Sequence, residues 1–374
     1  MNGNLMKIFK NLLKKFYRLV VKYIFYFLYG KINISRSGLT NVKKRYLKNK
    51  NIKKKDLYQY SIYTIKNGRV CTDSVEQVAY ISQNYLLKDI AYTQIKGKLS
   101  SPKNNFVLSR GTPYLQKKIN GTIVSLAQGA SGNKNYFHWL FDILPRLHIT
   151  LNYIDYEKIN YFYMPKLKKF QIKTLRCLGI KNLKVLDSEK YKHVKAKEII
   201  VSEHPWYHKG TIFAESDNIP KWIIYWLKES FAHLKKNKKK DKKIFIDRSE
   251  SEFKHCKFIN NKEIKKILKK KGFEIVKTGQ LDFISQINLF SNAKMVVGPH
   301  GAAFSNLIFC EKKTKVLEIK PFAQPNNYKM ISKINKLKYS QINLPSLGSK
   351  YDNGDMYIEP KILLKKIKML EKNV

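Results

Sequence analysis

Val296–Val297–Gly298–Pro299–His300–Gly301–Ala302–Ala303 decides how this chain folds. The apolar run Met295–Val297 reads as a buried strand. Two glycines then flank a histidine, and small residues open the apolar segment Phe304–Phe309 as a helix start. A glycine loop of this kind lets backbone N–H groups approach an anion without Cβ obstruction, and a helix N-terminus adds a favourable dipole. His300 falls at the carboxyl end of the strand, the ligand side of an open α/β sheet. The pattern therefore predicts a nucleotide or phosphate site.

Reading outward, Ile244–Ile246 is a short strand ending in Asp247–Arg248. Asn261–Lys271 is helical with Gly272 as its cap, and Phe273–Val276 is a strand. Phe283–Phe290 is a helix, and Val316–Ile319 follows the glycine loop as a further strand. This alternation predicts a parallel, doubly wound sheet over residues 244–345. Pro360–Lys372 reads as a terminal amphipathic helix with proline in its first turn, inside a C-terminal tail of residues 346–374. Lys235–Lys243 is a charge run and reads as an interdomain linker. Residues 57–235 then form an N-terminal α/β domain with strands at Thr122–Leu126 and Glu198–Val201. Helices are expected around His138–Leu151 and Lys221–Leu234.

The length of 374 residues suits two domains, and 43% hydrophobic residues can fill their cores. A net charge of +47 implies attraction to polyanions: nucleic acid, anionic lipid or phosphorylated substrates. Much of that excess is also what solvated surface lysines in a Lys/Asn/Ile/Tyr-rich chain would give. Cys71, Cys177, Cys256 and Cys310 lack the short spacing of a zinc or redox motif and read as isolated reduced thiols of a cytosolic protein. The first acid is Asp56, after sixteen Lys and Arg. Residues 1–56 form a basic extension in which Leu19–Tyr29 is apolar apart from Lys22. That run is too short and interrupted for a spanning helix and lacks a cleavage site. It is expected to lie in the interface of an anionic membrane, with a packed helix and a true anchor as the other readings.

Three features could carry chemistry besides the glycine loop. In Asn135–Tyr136–Phe137–His138–Trp139–Leu140–Phe141–Asp142–Ile143–Leu144–Pro145–Arg146, preceded by Gly129 and Gly132, His138 and Asp142 share a helix face, and Arg146 extends it. Pro145 is expected to end or kink the helix near Leu144. A His–Asp pair with a nearby arginine suits proton transfer or a polar ligand; a simple surface hydrogen bond is the other reading. Arg248, after a strand, can make bidentate phosphate contacts or a surface ion pair. Glu318, inside the apolar strand Val316–Ile319, needs a buried partner or ribose hydroxyls.

Taken in order, the block from Asn135 to Arg146, the strand-end Asp247–Arg248, the Val297–Ala303 loop and Leu317–Glu318–Ile319 resemble glycosyltransferase family 61, over roughly residues 100–325. The resemblance implies an α/β fold of GT-B type: two Rossmann-like domains facing across a cleft, here with a basic N-terminal helical extension. It implies inverting, metal-independent transfer, without cofactor, from a nucleotide-sugar, usually a UDP-sugar. The acceptor would be a glycan or lipid-linked glycan of a capsular or lipopolysaccharide-type surface polymer, with the enzyme at the cytoplasmic face of the membrane. No clear Asp-x-Asp motif is present, since Asp155 and Glu157 lack a strand-end context.

Carried over, Arg248 and the backbone of Gly298, His300, Gly301, Ala302 and Ala303 would hold the donor diphosphate, and Glu318 would approach the ribose. Asp142, with His138 as partner, is the first candidate for the base and His138 the second. Asn135 and Arg146 count with the substrate-binding residues. The sequence departs from the family at Cys256–Asn261, where a further Arg and an Asn-Glu pair are often found. Lys257 offers a point charge there, and Asn261 lacks the acid. The competing functional readings are a non-catalytic polyanion or nucleic-acid binder and an inactive assembly partner. No recognised nucleic-acid module supports the former.

Overall fold

The computed structural model describes residues 2–35, 39–48, 59–74, 77–95, 98–127, 135–206, 219–236, 240–249, 256–347 and 354–372. Gly129 and Gly132 lie outside them. The chain forms two compact units. One comprises Met1–Lys168 and Asn182–Ile212, the other Lys169–Lys181 and Phe213–Val374. The Lys235–Lys243 run thus falls inside the second unit, not between domains. It is fastened there: Asn288 accepts from the Lys236 N–H (2.6 Å), Lys235 pairs with Glu311 (2.8 Å) and Lys240 donates to the Lys312 carbonyl (2.7 Å).

The first unit opens with α1 (Asn2–Tyr29). Its sheet is mixed. Strand β1 (Val42–Lys48) pairs antiparallel with β2 (Gln59–Lys66), and β3 (Arg69–Ser74) antiparallel with β4 (Gln77–Ser82). Strands β5 (Gln116–Ser125), β6 (Tyr161–Met164), β7 (Val185–Asp187) and β8 (His193–Ser202) form a parallel run in the order β8-β5-β6-β7. Only this parallel part is Rossmann-like. β8 joins the two halves, pairing antiparallel with β2 and β3 and parallel with β5. The central residues Ile123, Val124, Ile199, Ile200 and Val201 are buried, as a strand covered on both faces requires.

The carboxyl end of α1 is tied to the sheet. The Tyr29 carbonyl accepts from Arg69 (3.1 Å), its hydroxyl accepts from the Gln116 N–H (3.1 Å), and its ring meets His193 edge-on at 4.9 Å. Burial holds His193 near a pKa of about 4, so it is neutral at pH 7.

The second unit is the parallel, doubly wound sheet that the alternating pattern predicts. Its strands are β9 (Lys242–Ile246), β10 (Phe273–Val276), β11 (Ala293–Pro299), β12 (Lys315–Pro321) and β13 (Lys338–Leu344), in the order β10-β9-β11-β12-β13. On one face Phe245, Val297 and Leu317 pack with Ile264 and Leu268 of helix α2 (Asn261–Lys270) and with Leu363 and Ile367 of helix α3 (Pro360–Lys372). Residues four apart on α3 share a face, and each fully buried aliphatic side chain contributes about 1.5–3 kcal/mol. Elsewhere in the unit Phe231, Phe283 and Phe309 form edge-to-face aromatic contacts, with centroids 4.8–6.1 Å apart. The strand order reverses between β9 and β11. In open α/β sheets this switch point, at the carboxyl ends of the strands, is where ligands enter.

The segment after the glycine loop differs from expectation in kind. Ala302–Phe309 is a 3-10 helix. Its hydrogen bonding is poorer than that of an α-helix, so the favourable field at its N-terminus is weaker than the sequence suggested.

Candidate active site

Within the first unit, the segment following β5 carries His138 and Asp142 on successive helical turns. Asn135, expected among substrate-binding residues, is instead the cap of this helix: its side chain accepts from the Phe137 N–H (2.9 Å). Pro145 neither ends nor sharply breaks the helix. Trp139–Ile143 widens into a π turn, with the Leu144 N–H reaching the Trp139 carbonyl, and Leu144–Leu151 continues as α-helix. A proline at 145 cannot donate to the Phe141 carbonyl four residues back. The Trp206 indole N–H does so from across the unit, at 3.0 Å. A π turn of this kind is common at functional sites.

The turn presents Asp142 to two histidines. Its Oδ2 lies 2.8 Å from His138 Nδ1 and 3.8 Å from His204 Nε2. His204 Nδ1 accepts the Trp206 N–H (3.2 Å), which leaves its proton on Nε2, facing the carboxylate. Burial alone would raise the Asp142 pKa, but the charge and hydrogen bonds of His138 and His204 outweigh it and lower the value. Asp142 is fully buried, whereas the His138 side chain is 16% exposed. The carboxylate is therefore placed to hold His138 in one orientation. His138 is the more exposed member of the pair, and Asp142 the buried one.

Arg146, expected among the substrate-binding residues, faces inward. It is fully buried, and its guanidinium donates to the carbonyls of Leu126 (3.0 Å), Ser125 (3.2 Å) and Ser202 (3.5 Å). It pins the carboxyl ends of β5 and β8 beneath the helix that carries His138.

In the second unit the switch point gathers Arg248 after β9 and the glycine loop after β11. A Cβ on Gly298 would stand 2.8 Å from Ile246 Cβ, so this glycine serves the close approach of β11 to β9 rather than an anion. The His300 N–H is also committed, donating to the Ile319 carbonyl (2.8 Å). That narrows the expected cradle to Gly301, Ala302 and Ala303. Ala302 and Ala303 are partly exposed and lie in the first turn of the 3-10 helix, where N–H groups have no intrahelical acceptor. The Arg248 guanidinium lies against Gly301, in the space a side chain there would fill. Guanidinium and loop thus lie together at the switch point.

Glu318 is corrected from ribose reader to support. It is fully buried, and both its oxygens are used: Oε1 meets His300 Nδ1 (2.5 Å), and Oε2 accepts from the Tyr339 hydroxyl (2.5 Å). His300 Nε2 makes no hydrogen bond among the described residues. The His300 ring also packs on Tyr328, centroids 5.1 Å apart. Next to this pair, buried Lys320 donates to the carbonyls of Gln324 and Pro325 and to the Asn326 side chain, fixing the chain that leaves β12.

Lys257 remains beside the segment after β9, its amine 3.4 Å from the Ser249 carbonyl. Asn261 binds Asp247 (3.0 Å) and so serves the strand end.

His204, Trp206 and Tyr339 were not singled out by the sequence. Only the strand-end His204–Pro205–Trp206 carried a local signal. All four cysteines are free, and burial pushes the thiols up, Cys256 to about 11 and Cys310 to about 12. None is poised as a nucleophile.

The family model described as Glycosyltransferase 61 matches residues 136–317, from the first turn of the His138 helix into β12. No curated protein matches the chain.

Proposed function

Because this chain belongs to the glycosyltransferase 61 family and is a glycosyltransferase, we propose that it is an inverting, metal-independent enzyme of GT-B architecture. It moves a sugar from a nucleotide-sugar, a UDP-sugar first, to a glycan or lipid-linked acceptor in cell-surface polysaccharide synthesis. In this reading the first unit carries the base and the second unit holds the donor.

The observation that carries the donor half is the switch-point surface: Arg248 laid against Gly301, beside the first-turn N–H groups of Ala302 and Ala303. The acceptor hydroxyl oxygen attacks the anomeric carbon. The bond from that carbon to the diphosphate oxygen breaks, and the departing diphosphate keeps the electron pair. Arg248 and the loop N–H groups stabilise its charge, the part that a cation otherwise plays. His138 takes the hydroxyl proton on Nε2, because Nδ1 is held by Asp142. His300, oriented by Glu318, offers Nε2 to the donor.

Melting temperature measured against a panel of nucleotides and nucleotide-sugars tests this. One nucleotide diphosphate is expected to raise it equally with and without EDTA, and Arg248→Ala to abolish the rise. No rise with any nucleotide would overturn the reading.

α1 supports a place at the inner membrane surface. No helix among the described residues is long and apolar enough to cross a membrane. Yet Phe9, Leu12, Leu13, Phe16, Leu19 and Phe27 are exposed, and the helix bears six cations and no acid. A helix of this composition lies in the headgroup region of anionic lipid. Deleting residues 2–20 is expected to leave the fold intact and to abolish co-sedimentation with phosphatidylserine vesicles. Undiminished co-sedimentation would refute the role of α1.

A further inference from the structure

A hollow of about 600 Å³ opens between α2 and the carboxyl ends of β9 and β10, lined by Asp247, Lys262, Lys265, Lys266, Lys269 and Lys277 among others. It is separate from the switch point, which lies between β9 and β11. Asp247 and Arg248 are consecutive residues leaving β9 and turn to different neighbours: Arg248 lies on Gly301, whereas Asp247 is held from α2.

The lysines at 262, 265, 266 and 269 follow the 3-1-3 spacing that places four side chains on one side of a helix. The one acid of the lining does not neutralise them all. Asp247 Oδ1 accepts from the Ser249 N–H (2.9 Å) and Asn261 (3.0 Å), and Oδ2 accepts from Lys265 (3.0 Å). Burial would raise its pKa, but these hydrogen bonds outweigh that and keep it ionised and fully engaged. Lys262, Lys266 and Lys269 have no carboxylate within ion-pair distance among the described residues. Lys262 and Lys266 are four apart, as are Lys265 and Lys269, so repulsion along α2 costs stability. A concave wall carrying one sign of charge concentrates counter-ions of the other.

We infer that this hollow binds phosphate groups of the acceptor, as a phosphate ester on the glycan or the diphosphate of a lipid carrier. The inference rests on the glycosyltransferase reading and gives its acceptor a chemical class. Lysines suit the task as mobile point charges that follow a flexible chain of phosphates, where the planar Arg248 suits the fixed diphosphate of a donor.

The test is calorimetric titration of inorganic pyrophosphate into full-length protein carrying Arg248→Ala, which removes the donor anchor. Binding is expected to persist in that variant. It should weaken at least tenfold when Lys262→Gln, Lys266→Gln and Lys269→Gln are added, and weaken as salt is raised. A control removing the same charge elsewhere in the unit, Lys361→Gln with Lys365→Gln and Lys368→Gln on α3, is expected to change affinity less than twofold. No binding in the Arg248→Ala protein, or equal losses in both triple variants, would overturn the site. Neither result touches the donor reading, which the nucleotide melting test decides by itself. A soluble phosphorylated oligosaccharide and neutral vesicles carrying a polyisoprenyl diphosphate then separate the two sources. Binding of either that is lost in the α2 triple variant supports the inference and identifies the source; binding of neither overturns it.

Discussion

His138→Ala is expected to lower kcat by about 10²–10⁴-fold while the protein still folds, with a lower melting temperature because buried Asp142 loses its nearest partner. The ring is partly exposed, so its removal leaves no large cavity, and the helix is held from elsewhere by its Asn135 cap and by Arg146. KM for the nucleotide-sugar should change little, because Arg248 and the glycine loop are untouched. An unchanged kcat would remove His138 as the base.

Asp142→Asn probes the same pair through pH. The Asp142 pKa is lowered in the folded protein, because His138 and His204 outweigh the opposing effect of burial. A lowered value means that the stability from this carboxylate is present above its unfolded pKa and is lost as pH falls through the folded one. Denaturation of the wild type should therefore show an acid decline that Asp142→Asn flattens. Activity should fall with it, because His138 loses the carboxylate that orients its ring.

Gly301→Ala is the second large effect, about 10²–10³-fold in kcat/KM for the donor. Gly301 has φ 162° and ψ 172°, extended backbone that alanine also adopts, so no backbone strain arises. The new methyl would fall on the Arg248 guanidinium. That group is the far end of a flexible side chain and swings away, so the fold should survive while the positive charge leaves the loop. Donor titration and a melting curve on the same sample check both halves. Unaltered donor affinity would show that Arg248 does not bind the diphosphate from its place on Gly301.

Much of the second unit was legible because its information is local. Each strand from β9 to β12 is a short apolar run between polar turns, and each boundary is marked by glycine, asparagine or charge. Alternation of this kind admits few topologies. The first unit was less legible, because β8 pairs with strands on both sides of it in sequence, and hydrophobic runs do not reveal direction. The π turn was illegible for a related reason. It depends on Trp206, some sixty residues along the chain, supplying the hydrogen bond that Pro145 cannot make.

The sequence by itself determined the family and the candidate residues: the four-residue spacing of His138 and Asp142, the arginine ending β9 and the glycine loop ending β11. These are properties of one helical turn or one strand end, fixed by the 3.6-residue repeat and by glycine's lack of a Cβ. The tertiary structure decided what each polar group does, because a buried donor or acceptor must find its partner wherever the fold brings one. So Arg146 turns inward to three carbonyls, Glu318 spends both oxygens on His300 and Tyr339, and His204 completes the surroundings of Asp142.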